Sequence, residues 1–100
     1  MPSKPDTVRF ALVWTATFAH TARKFLRRHS GLEGIFEDVL RQLETAPNAP
    51  RLRLHPLTGQ HKGKHAVSLT YEHRIVLILH LTEREIVLLD VGTHDEVYRG

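Results

Sequence analysis

A chain of 100 residues with 41% hydrophobic and 25% charged residues has the size and composition of one globular domain, which excludes disordered and fibrous proteins. Cysteine is absent, so disulfides, thiolate nucleophiles and cysteine-ligated zinc are excluded. The formal net charge is +3, yet Arg51, Arg53, Lys62 and Lys64 all lie in residues 50–65, which contain no Asp or Glu. This basic patch favours a polyanionic ligand such as nucleic acid, with a solvated surface as the alternative.

The beginning of the chain predicts a short tail and a strand. We expect residues 1–6 to be a flexible N-terminus of a single domain spanning residues 1–100. Residues 7–14 place apolar side chains at every second position, a period that is typical of a strand. The first nine residues lack the apolar stretch of a signal peptide, and no run approaches the roughly 18 apolar residues of a membrane span. We therefore expect a cytoplasmic protein without a membrane partner.

Two helices are predicted next. From Thr17 onward, Phe18, Ala22 and Phe25 recur at helical spacing, and basic residues occupy the remaining face. The residues 30–33, Ser-Gly-Leu-Glu, have the form of a capping box, which predicts that a second helix begins there. Prolines at positions 47 and 50 prevent its continuation, so the two helices are expected to be antiparallel neighbours.

The second half of the chain is typical of strands. We predict a short basic strand at residues 51–54 and three further strands at residues 64–71, 74–81 and 85–91. The nearly continuous apolar run at residues 75–79 indicates a central strand that is covered on both faces. The predicted class is therefore α+β: an N-terminal strand, two antiparallel helices, and a three- to four-stranded antiparallel sheet with its second face open to a ligand.

Four motifs in this order resemble the RelE/ParE toxin superfamily, and most closely its YafQ-like branch of messenger-RNA interferases. They are Leu-His-Pro-Leu-Thr-Gly at residues 54–59, Lys-Gly at 62–63, Tyr-Glu-His-Arg-Ile at 71–75 and Val-Gly-Thr-His-Asp-Glu-Val-Tyr at 91–98. The resemblance implies a RelE-like, microbial ribonuclease-type fold. It also implies the toxin of a type II toxin–antitoxin pair, which cuts messenger RNA without a metal ion, on the ribosome.

The same resemblance assigns candidate catalytic residues. His94 matches the catalytic histidine beside the last strand, and His55 matches a second functional histidine of the branch. Imidazole exchanges protons near neutral pH, so the pair is suited to general acid–base chemistry. Glu72 lies where the branch has an acidic residue that could orient a histidine. Arg74 occupies a strand position that often holds an arginine, whose planar fork can bind a phosphate.

Further residues are expected to bind RNA. Arg51, Arg53, Lys62 and Lys64 would hold flanking phosphates, and Tyr98 falls where the family has an aromatic residue that can stack on or position a base. The sequence also departs from the branch, because Ser68 stands where a further functional histidine is found. Ser68 cannot act as a base at neutral pH, which puts the proton-transfer assignment in question.

The resemblance implies no cofactor and no metal. A zinc site at His61 and His65 would need a helix, which the neighbouring glycines oppose. The expected partners are a cognate antitoxin, messenger RNA and the ribosome. Two other functions share these features: a ParE-like toxin that inhibits gyrase, and an inactive homologue that acts through antitoxin binding.

Overall fold

The computed structural model describes residues 9–98, which form one five-stranded sheet with two helices on one face. The elements in chain order are β1 (Ala11–Trp14), α1 (Ala16–Arg28), α2 (Glu33–Thr45), β2 (His55–Pro56), β3 (His65–Ser68), β4 (His73–His80), β5 (Glu85–Thr93) and α3 (His94–Tyr98). The sheet order is β1-β5-β4-β3-β2, and every pairing is antiparallel except that of β1 with β5. The predicted α+β class is confirmed. The expected N-terminal tail and the start of the predicted first strand lie outside the described residues.

Helix α1 begins where its sequence predicts, and its first turn is tied to the sheet. The Thr15 hydroxyl accepts a hydrogen bond from the Phe18 backbone N–H at 3.1 Å and donates one to the Leu88 carbonyl at 2.7 Å. One side chain thus caps the helix and fixes it against β5. Arg27 and Arg28 lie in the last turn, where positive charge interacts favourably with the helix dipole.

Helix α2 begins without the predicted capping box. Residues Ser30–Leu32 form a 3₁₀ turn, Leu32 holds the cap position, and no side-chain hydrogen bond caps the helix. The Glu33 backbone N–H binds the Ser30 carbonyl instead of its hydroxyl. The prediction failed because the preceding turn already satisfies the N–H group that the serine side chain would have bound.

The core lies between the helices and one face of the sheet. Phe18 and Phe36 stack with ring centroids 6.2 Å apart, and Phe25 lies 6.0 Å from Phe36. Ile75 and Leu77 of β4 are fully buried against this cluster. The opposite face of the sheet has a smaller buried group outside the main core, formed by Ala66, Val76 and Val97. The prediction of a central strand covered on both faces is therefore confirmed.

The predicted basic strand at residues 51–54 is wrong. Residues Pro50–Leu52 form a 3₁₀ turn, Arg53 adopts a left-handed conformation with φ of 53°, and only His55–Pro56 pairs with β3. Proline suits the first position of a turn, and the turn buries Leu52 in the core. The strand predicted at residues 64–71 is shorter than expected and spans only His65–Ser68. Among residues 9–98, no helix is long and apolar enough to cross a membrane.

Candidate nucleic-acid interface

Polar residues gather on the face of the sheet opposite the two long helices, which we call the outer face. Ser68 of β3 lies directly opposite Arg74 of β4, and His55 of β2 lies opposite Ala66. Paired residues project to the same side of a sheet, as do residues two apart on one strand. Val67, between Ala66 and Ser68, is fully buried in the helical core. His55, Ser68 and Arg74 therefore share the outer face.

Helix α3 covers one end of the outer face, and a capping box fixes its start. The Thr93 backbone N–H donates to Glu96 Oε1 at 2.9 Å, and the Glu96 N–H donates to Thr93 Oγ1 at 3.3 Å. Hydrogen bonding of the Glu96 carboxylate to Thr93, above all to its backbone N–H, lowers the pKa of Glu96 below its ordinary value. His94 is thereby held as the first residue of α3. We expected the second face of the sheet to be open, but α3 covers one end of it.

Gly92 makes this capping box possible. A Cβ at this position would lie 2.6 Å from Glu96 Oε1 and 3.2 Å from Glu96 Cβ. Both distances are shorter than ordinary van der Waals contact, so any other residue would push the carboxylate away from the Thr93 N–H. The glycine in the Gly-Thr-His motif is thus required by the close approach of Glu96.

Three side chains converge on the ring of Tyr98, and we call these four residues the tyrosine cluster. The His94 ring lies 4.6 Å from the Tyr98 ring centroid in an edge-to-face arrangement, and the His61 ring lies at 5.6 Å. Arg74 Cζ lies 6.0 Å from the same centroid, at the outer limit of a cation–π contact. The cluster therefore combines a guanidinium, a phenol and two imidazoles at one end of the outer face.

Two polar atoms of the tyrosine cluster are buried and have no hydrogen-bond partner within residues 9–98. They are Arg74 Nε and the Tyr98 hydroxyl. A buried donor without a partner costs roughly 1–3 kcal/mol, and such groups are commonly paired with water or a ligand. Both atoms can donate to an oxygen, so the cluster is suited to an anionic oxygen ligand.

A groove of about 1020 Å³ lies beside the cluster, between α2, the 51–53 turn and the loop between β3 and β4. We call it the basic groove. Its lining includes Asp38, Arg51, Arg53, Ser68, Tyr71, Glu72 and Arg74. Three arginines and two carboxylates line the groove, which leaves a balance of one positive charge, and the arginines are suited to bind phosphate groups.

His55 lies on the outer face and is not part of the tyrosine cluster. Its Nδ1 is 2.8 Å from the Arg53 carbonyl oxygen. A carbonyl can only accept, so Nδ1 carries the hydrogen and Nε2 keeps its lone pair in the neutral ring. The side chain is exposed, and Nε2 can therefore take up a proton from a ligand. The left-handed conformation of Arg53 sets the direction of the carbonyl that orients this ring.

His73 is the one buried polar residue of the described chain, at 7% exposure, and it organises the loop beside the groove. The Thr70 hydroxyl accepts from the backbone N–H groups of Glu72 and His73, each at 3.1 Å, and lies 2.9 Å from His73 Nδ1. Both lone pairs of the hydroxyl are thus used, so its hydrogen is donated to an unprotonated Nδ1. Burial lowers the pKa of His73, and the nearby His29 lowers it further.

Comparison with solved structures assigns the architecture. No family model matches the chain, and no curated protein matches it. The E. coli DinJ–YafQ toxin–antitoxin complex contains a chain that superposes with a TM-score of 0.75 at 16% identity, over 91% of this chain and 99% of that one. The YoeB/ParE toxin from Agrobacterium tumefaciens gives 0.69 at 23% identity, over 85% and 99%. The chain has the RelE/ParE toxin fold. The RelBE2 complex from Mycobacterium tuberculosis also matches, with a TM-score of 0.60 at 20% identity over 87% of this chain and 100% of that one.

Within the RelE/ParE fold, the predicted site residues divide into three groups. His94, Arg74 and Tyr98 meet in the tyrosine cluster. The basic groove is lined by Arg51, Arg53 and Glu72. The remaining three, His55, Lys62 and Lys64, contribute to neither the cluster nor the lining of the groove. Three of the predicted residues thus lie together, but the structure does not bring the two predicted catalytic histidines into contact.

The histidine that Glu72 affects is His73, which is not one of the predicted catalytic histidines. The charge of Glu72 raises the pKa of His73 against the effect of burial, and its backbone N–H binds Thr70. Within the described residues, its carboxylate makes no hydrogen bond to a histidine. The arrangement therefore connects Glu72 with the loop beside the groove and not with the histidines of the tyrosine cluster.

Sequence reasoning missed His61 and Tyr71. His61 reaches Tyr98 because the 3₁₀ turn Gly59–His61 begins at a glycine with positive φ, 66° at Gly59, and is followed by a second, 96° at Gly63. These glycines were the available signal, since only such a tight turn returns the chain toward its C-terminus. No group of three or more potential metal ligands occurs within residues 9–98; His61 ends this turn, whereas His65 begins β3.

Proposed function

We propose that this protein is the toxin of a type II toxin–antitoxin system and that it cleaves messenger RNA without a metal ion, on the ribosome. The observation that carries the proposal is the tyrosine cluster beside the basic groove. An imidazole and a guanidinium meet on one phenol, and two buried donors there have no partner among residues 9–98.

The proposed reaction is attack of a ribose 2′-hydroxyl on the adjacent phosphate. It needs a group that removes the hydroxyl proton, a group that protonates the departing 5′ oxygen, and positive charge at the phosphorane. His94 would exchange one of these protons, because its ring is held at the first position of α3. Arg74 would neutralise the phosphorane, with Nε and the Tyr98 hydroxyl donating to its oxygens.

His55 is the proposed second proton carrier. Its Nε2 lone pair points away from the bond that Nδ1 makes to the Arg53 carbonyl. Ser68 lies on the same face, and a hydroxyl there can donate a hydrogen bond to RNA without acting as a base. An RNA strand that crosses the outer face would contact His55 and the tyrosine cluster together.

Binding of the RNA is proposed to rest on the basic residues. Arg51 and Arg53 line the groove and would hold phosphates next to the scissile one. Lys62 and Lys64 lie immediately before β3, and they would extend the positive surface beyond the groove. Such contacts release counterions, so affinity should fall steeply with salt.

The proposed protein partner is a cognate antitoxin. Two of the similar solved structures, DinJ–YafQ and RelBE2, are toxin–antitoxin complexes. For this chain the positive groove and outer face would attract an acidic segment of such a partner, which would block RNA.

The test is induced expression in a host that lacks the antitoxin, with growth and transcript ends followed by primer extension. We expect growth arrest and new transcript ends for the wild type, and neither for His94→Ala. His80→Ala is the matched control, because this histidine is exposed at the far end of β4. Arrest without transcript cuts would refute RNA cleavage and favour gyrase inhibition, and an active His94→Ala variant would refute the assignment of the site.

A further inference from the structure

The most exposed aromatic residue of the described chain stands at the rim of the basic groove. Tyr71 is 98% exposed, in the loop between β3 and β4, and it lines the groove together with Arg51 and Arg74. A fully exposed tyrosine contributes nothing to the core, and its apolar ring is in contact with water. Tyr98, by contrast, has its ring flanked by three side chains and its hydroxyl buried.

The loop that carries Tyr71 is held in place by hydrogen bonds on both sides of the tyrosine. Thr70 binds the backbone N–H groups of Glu72 and His73, and the Leu69 N–H donates to the His73 carbonyl at 2.9 Å. His73 itself packs between Phe25 and His29, with ring centroids 5.0 and 4.8 Å away. The backbone of the loop is therefore fixed, and a ligand of Tyr71 need only order the side chain.

The surroundings of Tyr71 determine what kind of ligand suits it. Arginines of the groove bind phosphate oxygens, whereas an exposed phenol ring offers a flat π-face. A ligand that presents phosphates and flat rings at neighbouring positions is a nucleic-acid strand. Only an unpaired base can leave its stack and lie on a side chain, so this combination favours single strands.

We propose that Tyr71 stacks on an unpaired nucleobase next to the phosphate held at Arg74, and so makes the basic groove selective for single-stranded RNA. The inference rests on the proposed function and adds the residue that distinguishes single from double strands. Thr70 is a positioning residue in this account, because it fixes the loop without contacting the base.

The experiment measures the affinity of purified protein for a fluorescent RNA of about 12 nucleotides with 2′-O-methyl groups, which prevent cutting, and for the matching duplex. Tyr71→Ala should weaken single-strand binding by about 5- to 150-fold, the effect of losing one base–aromatic stack. Duplex binding should change by less than about twofold, and Tyr71→Phe should bind both like the wild type. Arg51→Ala should weaken both in parallel, since it loses a phosphate contact.

A second series separates stacking from a general loss of structure. In it, one abasic residue is moved along the single strand. The wild type should lose affinity at one abasic position, and Tyr71→Ala should show no such position. Thr70→Val should weaken the same position-dependence and Thr70→Ser should restore it, because serine keeps the hydroxyl.

The outcomes distinguish this inference from the function on which it rests. If Tyr71→Ala binds the single strand like the wild type while Arg74→Gln does not, the groove binds RNA and the stacking role is refuted. If the wild type binds neither RNA, the inference is refuted, and cleavage of messenger RNA on purified ribosomes then decides the proposed function separately. Parallel weakening of both strands by Tyr71→Ala would also overturn the proposal.

Discussion

Replacement of Arg74 tests the chemistry of the tyrosine cluster at its most constrained residue. The Nε atom of Arg74 is buried without a partner in the described chain, and Cζ lies 6.0 Å from the Tyr98 ring. A phosphorane oxygen that binds there would complete a charge-assisted hydrogen bond, worth about 1.5–3 kcal/mol. Arg74→Gln should therefore lower kcat/KM for RNA cleavage by about 10- to 150-fold.

The assay is single-turnover cleavage of a reporter messenger RNA on purified ribosomes. Arg74→Lys should fall between the wild type and Arg74→Gln, because lysine keeps the charge and loses the planar fork. Arg41→Gln is the matched control: Arg41 makes an exposed pair with Asp38 at 3.1 Å on α2, and its loss should leave the rate unchanged. An Arg74→Gln variant with the wild-type rate and melting temperature would refute the reasoning.

Three further predictions concern stability. First, the folded-state pKa of His73 lies below the ordinary value of 6.5, so the unfolded chain takes up this proton first. The free energy of unfolding therefore falls as the pH drops from 6.5 toward the folded-state pKa. In urea titrations at about pH 7.5 and 5, this decrease should be smaller for His73→Gln than for the wild type. Equal losses would contradict the assignment. Second, Glu96→Ala should lower the free energy of unfolding by about 0.5–2 kcal/mol, with Glu96→Gln close to the wild type; an unchanged melting temperature for Glu96→Ala would show that the capping box is not formed. Third, Arg84 has a φ of 55°, so Arg84→Gly should stabilise the fold by about 0.5–1 kcal/mol; thermal denaturation checks this, and a destabilised variant would contradict it.

The capping boxes show what a local pattern can and cannot predict. Ser30 with Glu33 and Thr93 with Glu96 have the same spacing, yet only the second pair forms the reciprocal hydrogen bonds. The difference lies outside the four residues. Before Glu33 the chain makes a 3₁₀ turn, and before Thr93 a glycine leaves room for the glutamate. The short helix α3 was therefore missed, although its residues had been singled out.

Periodicity predicted the two long helices because each buries one continuous face, and a continuous apolar run predicted the central strand β4, which is covered on both faces. The 51–54 segment has the same alternation as a strand, but Pro50 and the left-handed Arg53 turn it away from the sheet after Leu52 is buried. The contact of His61 with Tyr98 spans 37 residues of sequence, and no local pattern reports it. His94, Tyr98 and Arg74 could be predicted as candidates because they lie in family motifs. His61 could not, because the turn at Gly59 brings it to Tyr98.

The central claim is that side chains of this protein cleave RNA by 2′-hydroxyl attack, and the ends of the cut strands test it directly. The measurement is the chemistry of both new ends after cleavage on purified ribosomes by the wild type and by His94→Ala. We predict a 2′,3′-cyclic phosphate on the upstream fragment and a 5′-hydroxyl on the downstream fragment, both absent for His94→Ala. A 5′-phosphate on the downstream fragment, or equal cleavage by both proteins, would contradict the account.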